Sequence, residues 1–273
     1  MFECVINISE GRDETLLSEL SAAAGTSLRD LHSDAFHHRS VFTLINESDA
    51  LVIDARNLIS AAYERLDLAG HRGVHPRFGV VDVVPFVALH PDLADEAVTL
   101  RDRIAKWITV TFDVPVFLYG PLADGSTRSL PEVRRRAFAD LRPDLGPDEP
   151  SPSRGSVAVG ARPVLVAWNL WLGAVSVVQA RAMASALRRP GVRALAFEVG
   201  SDVQVSCNIT DTDVARPSQL YDQVESMLPA GGLIRRAELV GLAPRSLVDQ
   251  EDRGRWAQLA LSPDSTIEAR CGL

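Results

Sequence analysis

The sequence predicts an α+β fold of two related lobes, each a sheet with helices on one face. Three observations predict it. The order strand, helix, two strands, helix, strand recurs in shorter form after residue 160. Apolar residues alternate between helical spacing, as in Leu51, Ile53, Leu58, Ile59, Ala62 and Leu66, and strand-like runs such as residues 80–88. The composition, 46% hydrophobic and 23% charged over 273 residues, is that of ordinary globular material, enough for one large domain or two smaller ones. The lobes divide near residues 174–176, giving 1–174 and 175–273.

Cys4-Val5-Ile6-Asn7-Ile8 reads as the first strand, followed by a polar turn, Ser9-Glu10-Gly11-Arg12, and a helix over about 14–24, with Ser9 and Asp13 as helix-cap residues. Short strands at 28–31 and 41–45 are apolar and β-branched. Between them, His32-Ser33-Asp34-Ala35-Phe36-His37-His38-Arg39-Ser40 reads as a solvated hairpin connection. Its three histidines lack the regular elements that usually fix a metal site. Arg39 stands at the entry to a strand. A helix over 50–68 ends at Gly70. The strand at 80–88 is so continuously apolar that both its faces are expected to be covered.

A helix over 92–110 and a strand over 114–120 follow. Residues 121–155 are polar and proline-rich and read as an extended surface connection, with Arg134-Arg135-Arg136 on a solvated helix face. A long apolar strand over 162–172 contains Trp168, Asn169 and Trp171, and a buried asparagine there needs hydrogen-bond partners. That strand leads towards the region between the lobes, a favoured place for a ligand cleft. A helix over 177–187, a hairpin of 192–199 with 203–209, a helix over 218–228 and a strand over 237–242 complete the second lobe.

Several function classes are excluded early. A formal net charge of -8, with no Lys/Arg-rich block, argues against nucleic acid as a partner. Lys106 is the only lysine, so the cationic work falls to arginine, which binds carboxylates as a planar fork. Cys4, Cys207 and Cys271 are isolated and suggest neither a zinc knuckle nor a disulfide framework. With no signal-peptide pattern and no apolar run of the roughly 18–20 residues a membrane span needs, the expectation is a soluble, cytoplasmic protein with no metal.

The chemistry concentrates in His71-Arg72-Gly73-Val74-His75-Pro76-Arg77-Phe78-Gly79, which runs into the strand bearing Asp82. Pro76 biases His75 away from helical dihedrals, so His71 and His75 do not share a helical face as a zinc motif of the HExxH type requires. The stretch reads either as a proton-transferring histidine with anion-holding arginines or as a loop whose histidines cap neighbouring backbone.

These blocks carry a resemblance. His71-Arg72-Gly73-Val74-His75-Pro76-Arg77 with Asp82, Pro85 and Phe86 is joined by the first strand through Arg12 and by Val114-Pro115-Val116-Phe117-Leu118-Tyr119-Gly120. Pro143-Asp144-Leu145-Gly146-Pro147 and Gly160-Ala161-Arg162-Pro163-Val164-Leu165-Val166-Ala167-Trp168-Asn169 complete the set. Together they resemble the formiminotransferase domain family. The resemblance implies two αβ (ferredoxin-like) subdomains with a ligand groove between them, usually in a homodimer. It implies transfer of a formimino group from N-formiminoglutamate to N5 of tetrahydrofolate, a step in histidine breakdown, with tetrahydrofolate as co-substrate. The family's catalytic histidine falls on His75, and its folate-binding segment on Gly160 through Asn169.

On that reading Asp82 would orient His75, while Arg39, Arg77 and Arg162 would hold substrate carboxylates. Asn169 suits the polar edge of the pterin, with Trp168 as an apolar wall. Some positions depart from the family pattern. Phe36-His37-His38-Arg39-Ser40 replaces a Pro-Ser-x-Asn-Arg-Thr type of sequence, and His32 replaces an aspartate. Pro190-Gly191 stands where relatives carry a long basic loop, and Ala194-Leu195-Ala196-Phe197-Glu198 replaces an aromatic Gly-Trp-Tyr stretch. The departures bear on substrate identity more than on His75, and they motivate an alternative: a folate-binding paralogue without transfer. A metal-dependent hydrolase using the histidines is the weakest reading, since no carboxylate lies at a ligand spacing.

Overall fold

The computed structural model describes residues 1–73 and 77–272, which form two compact units, Met1–Pro163 and Val164–Leu273. The first runs β1 (Phe2–Ile8), α1 (Glu14–Ala23), β2 (Leu28–Asp34), β3 (Arg39–Asn46), α2 (Ser48–Arg65), β4 (Val81–Ala88), α3 (Ala94–Phe112), β5 (Val116–Pro121), β6 (Thr127–Arg128), α4 (Leu130–Arg136) and β7 (Val157–Ala161). Among the described residues these strands form one seven-stranded sheet in the order β2-β3-β1-β4-β7-β5-β6. β7 lies between β4 and β5 and runs parallel to both. The connection from β4 to β5 is therefore a crossover, and α3 supplies the length that a parallel arrangement needs.

Strand alternation explains how this sheet is covered. Cys4, Ile6, Ile8, Leu44, Val84, Phe86 and Val159 form a core with Leu17 and Leu20 of α1, Leu51 and Leu58 of α2, and Ile104 and Ile108 of α3. Removing one such side chain, Leu58→Ala for instance, costs about 2–5 kcal/mol. Val83, Phe117, Tyr119 and Ala158 point the other way and pack with Val133 of α4. Both faces of β4 are thus covered as expected, but the helices are not confined to one face.

α4 corrects the reading of 121–155 as extended. Ser129 caps it by accepting from the Glu132 amide, and a proline occupies its first turn. The helix is seven residues long with Val133 as its single fully buried residue, too little for an amphipathic pattern to register.

The second unit runs β8 (Val166–Gly173), α5 (Val177–Leu187), β9 (Val192–Val199), β10 (Asp202–Ile209), α6 (Pro217–Ser226), β11 (Leu233–Val240), α7 (Arg245–Asp249) and α8 (Ile267–Cys271). Its antiparallel sheet has the order β11-β8-β10-β9. A capping box of Ser176 and Gln179 starts α5, and Pro217 starts α6. Trp168, Leu170, Leu172, Val203, Val205 and Cys207 form the core with Met183 and Leu187 of α5 and Leu220 and Val224 of α6.

Of the strand expected over 162–172, only the part from Val166 onwards is strand. β7 ends at Ala161 and β8 begins at Val166. The units consequently part between Pro163 and Val164, not at 174/175, because β8 takes both its partners, β10 and β11, from the second sheet. Among the described residues no helix is long and apolar enough to cross a membrane.

Candidate functional site

Asp82 is the residue around which the first unit's polar face is built. Its neighbours Val81 and Val83 pair with Ile8 and Asn7, consecutive residues of β1, which makes Asp82 the extra residue of a β-bulge. A bulge re-aims a side chain and recurs beside active sites. The carboxylate is 1% exposed, so it must be paired. It accepts from Arg39 Nη1 at 2.9 Å, Arg134 Nη2 at 2.6 Å and the Phe78 amide at 2.6 Å. Burial by itself would raise its pKa, but the Arg39 and Arg134 guanidiniums and the Phe78 N–H outweigh burial and hold it below the usual aspartate range.

Arg39 is itself half-buried, its side chain 16% exposed. Burial lowers it to about 10, with Asp82 opposing and Arg134 and Arg77 adding to the effect, so it is a cation at neutral pH. Its Nε donates to Asn7 Oδ1 at 3.2 Å. Arg134 also lies over the Phe78 ring, 5.1 Å from its centroid. This is the arginine that the sequence places on a solvated face; α4 turns it inwards to Asp82.

A second knot involves the turn after β1. Glu10 Oε1 accepts from the amides of Gly11 and Arg12, each at 2.7 Å, and of Asp13 at 3.1 Å, and it lies 3.1 Å from His38 Nε2. Burial opposes, but these amides and His38 together lower the Glu10 pKa. Gly11 is required here, since a Cβ would stand 2.4 Å from the Asp34 carbonyl oxygen. Asp13, as expected, caps α1, whereas Ser9 donates to the Gly79 carbonyl at 2.8 Å and caps nothing.

His38 stacks on His71 at 3.9 Å between ring centroids, and His71 Nε2 lies 3.1 Å from the His38 carbonyl oxygen. Arg77 Nη1 contacts the His71 ring and its Nη2 donates to the His37 carbonyl at 3.3 Å. His75, with Val74 and Pro76, lies outside the described residues. On either side of those three positions, His71, Arg77 and Phe78 are tied to the turn between β2 and β3 and to Asp82. Arg39, distant in sequence, is thereby brought to Arg77 and Asp82.

The segment matched to folate binding splits between the units. Gly160 and Ala161 lie on β7, Arg162 through Leu165 connect the units, and Val166 through Asn169 lie on β8. Gly160 packs on the ring of Tyr119, where a Cβ would come within 2.2 Å of the ring. Burial pushes the Tyr119 phenol up to about 12, against the pull of Arg162, which also hydrogen-bonds it. Arg162 Nη1 donates to the Pro163 carbonyl at 2.9 Å. Glu3, 3% exposed on the face of β1 turned from α1, α2 and α3, is pushed by burial to about 7, with Arg162 opposing.

On β8, Val166 and Trp168 turn into the core. Trp168 is fully buried and donates to the Leu259 carbonyl at 2.7 Å, so it offers no wall to a ligand. Asn169 and Trp171 share the opposite face, where both donate to Glu238 Oε2, at 3.1 and 3.0 Å. Sequence reasoning missed Trp171 as a site residue, along with Glu238, Arg134 and Glu3. The period-two alternation of a strand does signal Trp171, two residues from Asn169. No comparable signal marks Arg134. Among the described residues no group of three or more His, Cys, Asp or Glu side chains is arranged to hold a metal ion.

The geometry can be set beside known proteins. The family model of the formiminotransferase domain, N-terminal subdomain, matches residues 1–162, all but the last residue of the first unit. A glutamate formimidoyltransferase of Streptococcus pyogenes serotype M1 is 32% identical over 270 residues, 90% of each chain. One from Thermoplasma acidophilum is 32% identical over 274 residues, 91% of this chain and 90% of its own. The formimidoyltransferase-cyclodeaminase of Sus scrofa is 31% identical over 282 residues, which cover 91% of this chain but 51% of that one.

Proposed function

The chain belongs to the formiminotransferase family, and from that premise we propose that it is a folate-dependent one-carbon transferase acting between N-formiminoglutamate, or a similar amino-acid derivative, and tetrahydrofolate. The observation that carries the proposal is the alignment across nine-tenths of two relatives named glutamate formimidoyltransferases. The cation-rich surroundings of Asp82 support it, since both substrates carry glutamate carboxylates. Arg12, Arg39, Arg77 and Arg134 interact with one another or with Asp82, and their charge exceeds that of Asp82 and Glu10.

In the proposed reaction, N5 of tetrahydrofolate attacks the formimino carbon and gives a tetrahedral intermediate. The bond from that carbon to the glutamate nitrogen then breaks. One proton leaves N5 and one reaches the departing amine, so protons balance with a single shuttle. His75 fills that role, taking the first proton as neutral imidazole and returning it as imidazolium; an unperturbed histidine pKa of about 6.5 suits both steps. Asp82 acts in this scheme as a positioning residue through the Phe78 amide, because its oxygens are engaged by Arg39, Arg134 and Phe78. Arg77 and Arg162 are assigned to substrate carboxylates, and the segment from Gly160 to Asn169, apart from the core residues Val166 and Trp168, to the folate.

A cytoplasmic homodimer with small-molecule substrates completes the proposal; Cys4 and Cys207 are buried thiols, in keeping with a reducing compartment. The second reading, a folate-binding paralogue without transfer, is favoured by one observation: His38, in place of the family's asparagine, is spent on Glu10. Incubating the purified chain with both substrates separates the two readings. Release of glutamate supports transfer, whereas folate binding without turnover on any formimino or formyl donor supports the paralogue.

A further inference from the structure

The face of the second sheet opposite its helices carries one heavily subscribed carboxylate. Glu238 Oε2 accepts from Asn169 Nδ2 at 3.1 Å, Trp171 Nε1 at 3.0 Å and Gln204 Nε2 at 3.5 Å, and its Oε1 accepts from Arg236 Nη1 at 3.0 Å. The Arg236 guanidinium lies over the Trp171 ring, 4.3 Å from its centroid. The strand register creates the cluster, because Asn169 pairs with Glu238, and Trp171 with both Gln204 and Arg236.

An ionised carboxylate can only accept hydrogen bonds. An asparagine amide has a donating end and an accepting end, and beside Glu238 only the donating end is stable. The cluster therefore fixes which way the amide points. Its NH2 faces Glu238, and among the described residues its Oδ1 accepts no hydrogen bond.

We propose that Glu238 is a positioning residue that locks the Asn169 amide with its carbonyl oxygen as the group offered to a ligand, so that this position reads an N–H donor on the bound pterin. The inference rests on the folate reading given above for Gly160 through Asn169. A tetrahydropterin has such donors at N3, at the 2-amino group and at the reduced ring nitrogens. An acceptor in the same place would face another acceptor and leave both unpaired.

The test uses the full chain and tetrahydrofolate binding by calorimetry. Glu238→Leu is expected to weaken binding about tenfold, the scale of one lost oriented hydrogen bond. Its KM for tetrahydrofolate should rise while that for N-formiminoglutamate stays unchanged. Glu238→Gln should bind within about twofold of wild type, because the glutamine oxygen still accepts from Asn169. In an Asn169→Leu background, Glu238→Leu should add nothing further, since Glu238 acts through that amide. Wild-type affinity in Glu238→Leu, or additive losses in the double variant, would overturn the proposal.

Should Glu238→Leu not fold, nitrogen NMR of the wild-type chain decides. The Asn169 side-chain amide protons should exchange slowly both with and without tetrahydrofolate, and rapid exchange in both states overturns the proposal. A wild-type chain that binds no tetrahydrofolate overturns the folate reading itself, whereas wild-type binding with an indifferent Glu238→Leu overturns only the role of Glu238.

Discussion

Glu3 shows what a single residue can hide. In sequence it is the polar member of an alternating strand and looks solvated. In the structure it is buried between the register partners Ile45 and Val87, and burial pushes its carboxyl to about 7 against the attraction of Arg162. A carboxyl whose folded pKa is raised holds its proton more tightly in the folded state. Its stabilising contribution is fully present below the unfolded value of about 4.3 and is lost as pH rises through about 7. Urea unfolding at pH 5.5 and pH 8 should show Glu3→Gln losing less stability over that interval than wild type; equal losses would contradict the burial argument. Asp82 and Glu10 work with the opposite sign. Their lowered pKa values stabilise the fold above the ordinary carboxylate range, and the contribution fades as pH falls through the folded values. What the sequence conceals here is burial: alternation shows which residues share a face, but not whether something covers that face. Trp168 and Trp171 make the same point, since parity separates them cleanly and only the packing shows which one is core.

At the scale of elements, long periodic segments were legible and short ones were not. α2, α3, α5 and the hairpin of β9 and β10 fall close to their expected positions, because several turns or alternations agree. β7 was not foreseen, and of α4 only the helical character at Arg134-Arg135-Arg136 was read, not its docking. α4 is held by tertiary contacts rather than by its own periodicity: Val133 enters the core, and Arg134 reaches Asp82 and lies over Phe78. Arg134→Ala should therefore loosen α4 and leave Asp82 with one fewer of its cationic partners. The expected cost is about 1–3 kcal/mol, since the lost hydrogen bond joins two charged groups and its carboxylate partner stays buried. Arg135→Ala, on the exposed side of the same helix, should change stability by less than about 0.5 kcal/mol. Chemical denaturation of the two variants measures the contrast, and equal effects would mean that α4 docks by other means.

For the molecule as a whole, the two-unit α+β organisation was legible from the repeated order of elements, but the boundary was not. The apolar run across 162–172 conceals the connection that follows β7 and the start of β8, because hydropathy does not distinguish one buried sheet from the next. The corrected boundary has a measurable consequence. A fragment ending at Pro163 keeps the first sheet and its core intact and should be monomeric or dimeric with a cooperative thermal transition. A fragment ending at residue 174 carries β8 without β10 and β11, exposing Trp168, Leu170 and Leu172, and should aggregate in size-exclusion chromatography. The reverse outcome would place the boundary where the apolar run ends.

The central claim is that this chain moves a formimino group with His75 as the proton shuttle. It is tested most directly by steady-state formation of 5-formiminotetrahydrofolate from tetrahydrofolate and N-formiminoglutamate, with purified wild-type and His75→Ala chains compared at the same folded concentration. The expected result is turnover by wild type, with kcat reduced about 10²–10⁴-fold in His75→Ala. No product from the wild-type chain, or equal rates from the two, would contradict it.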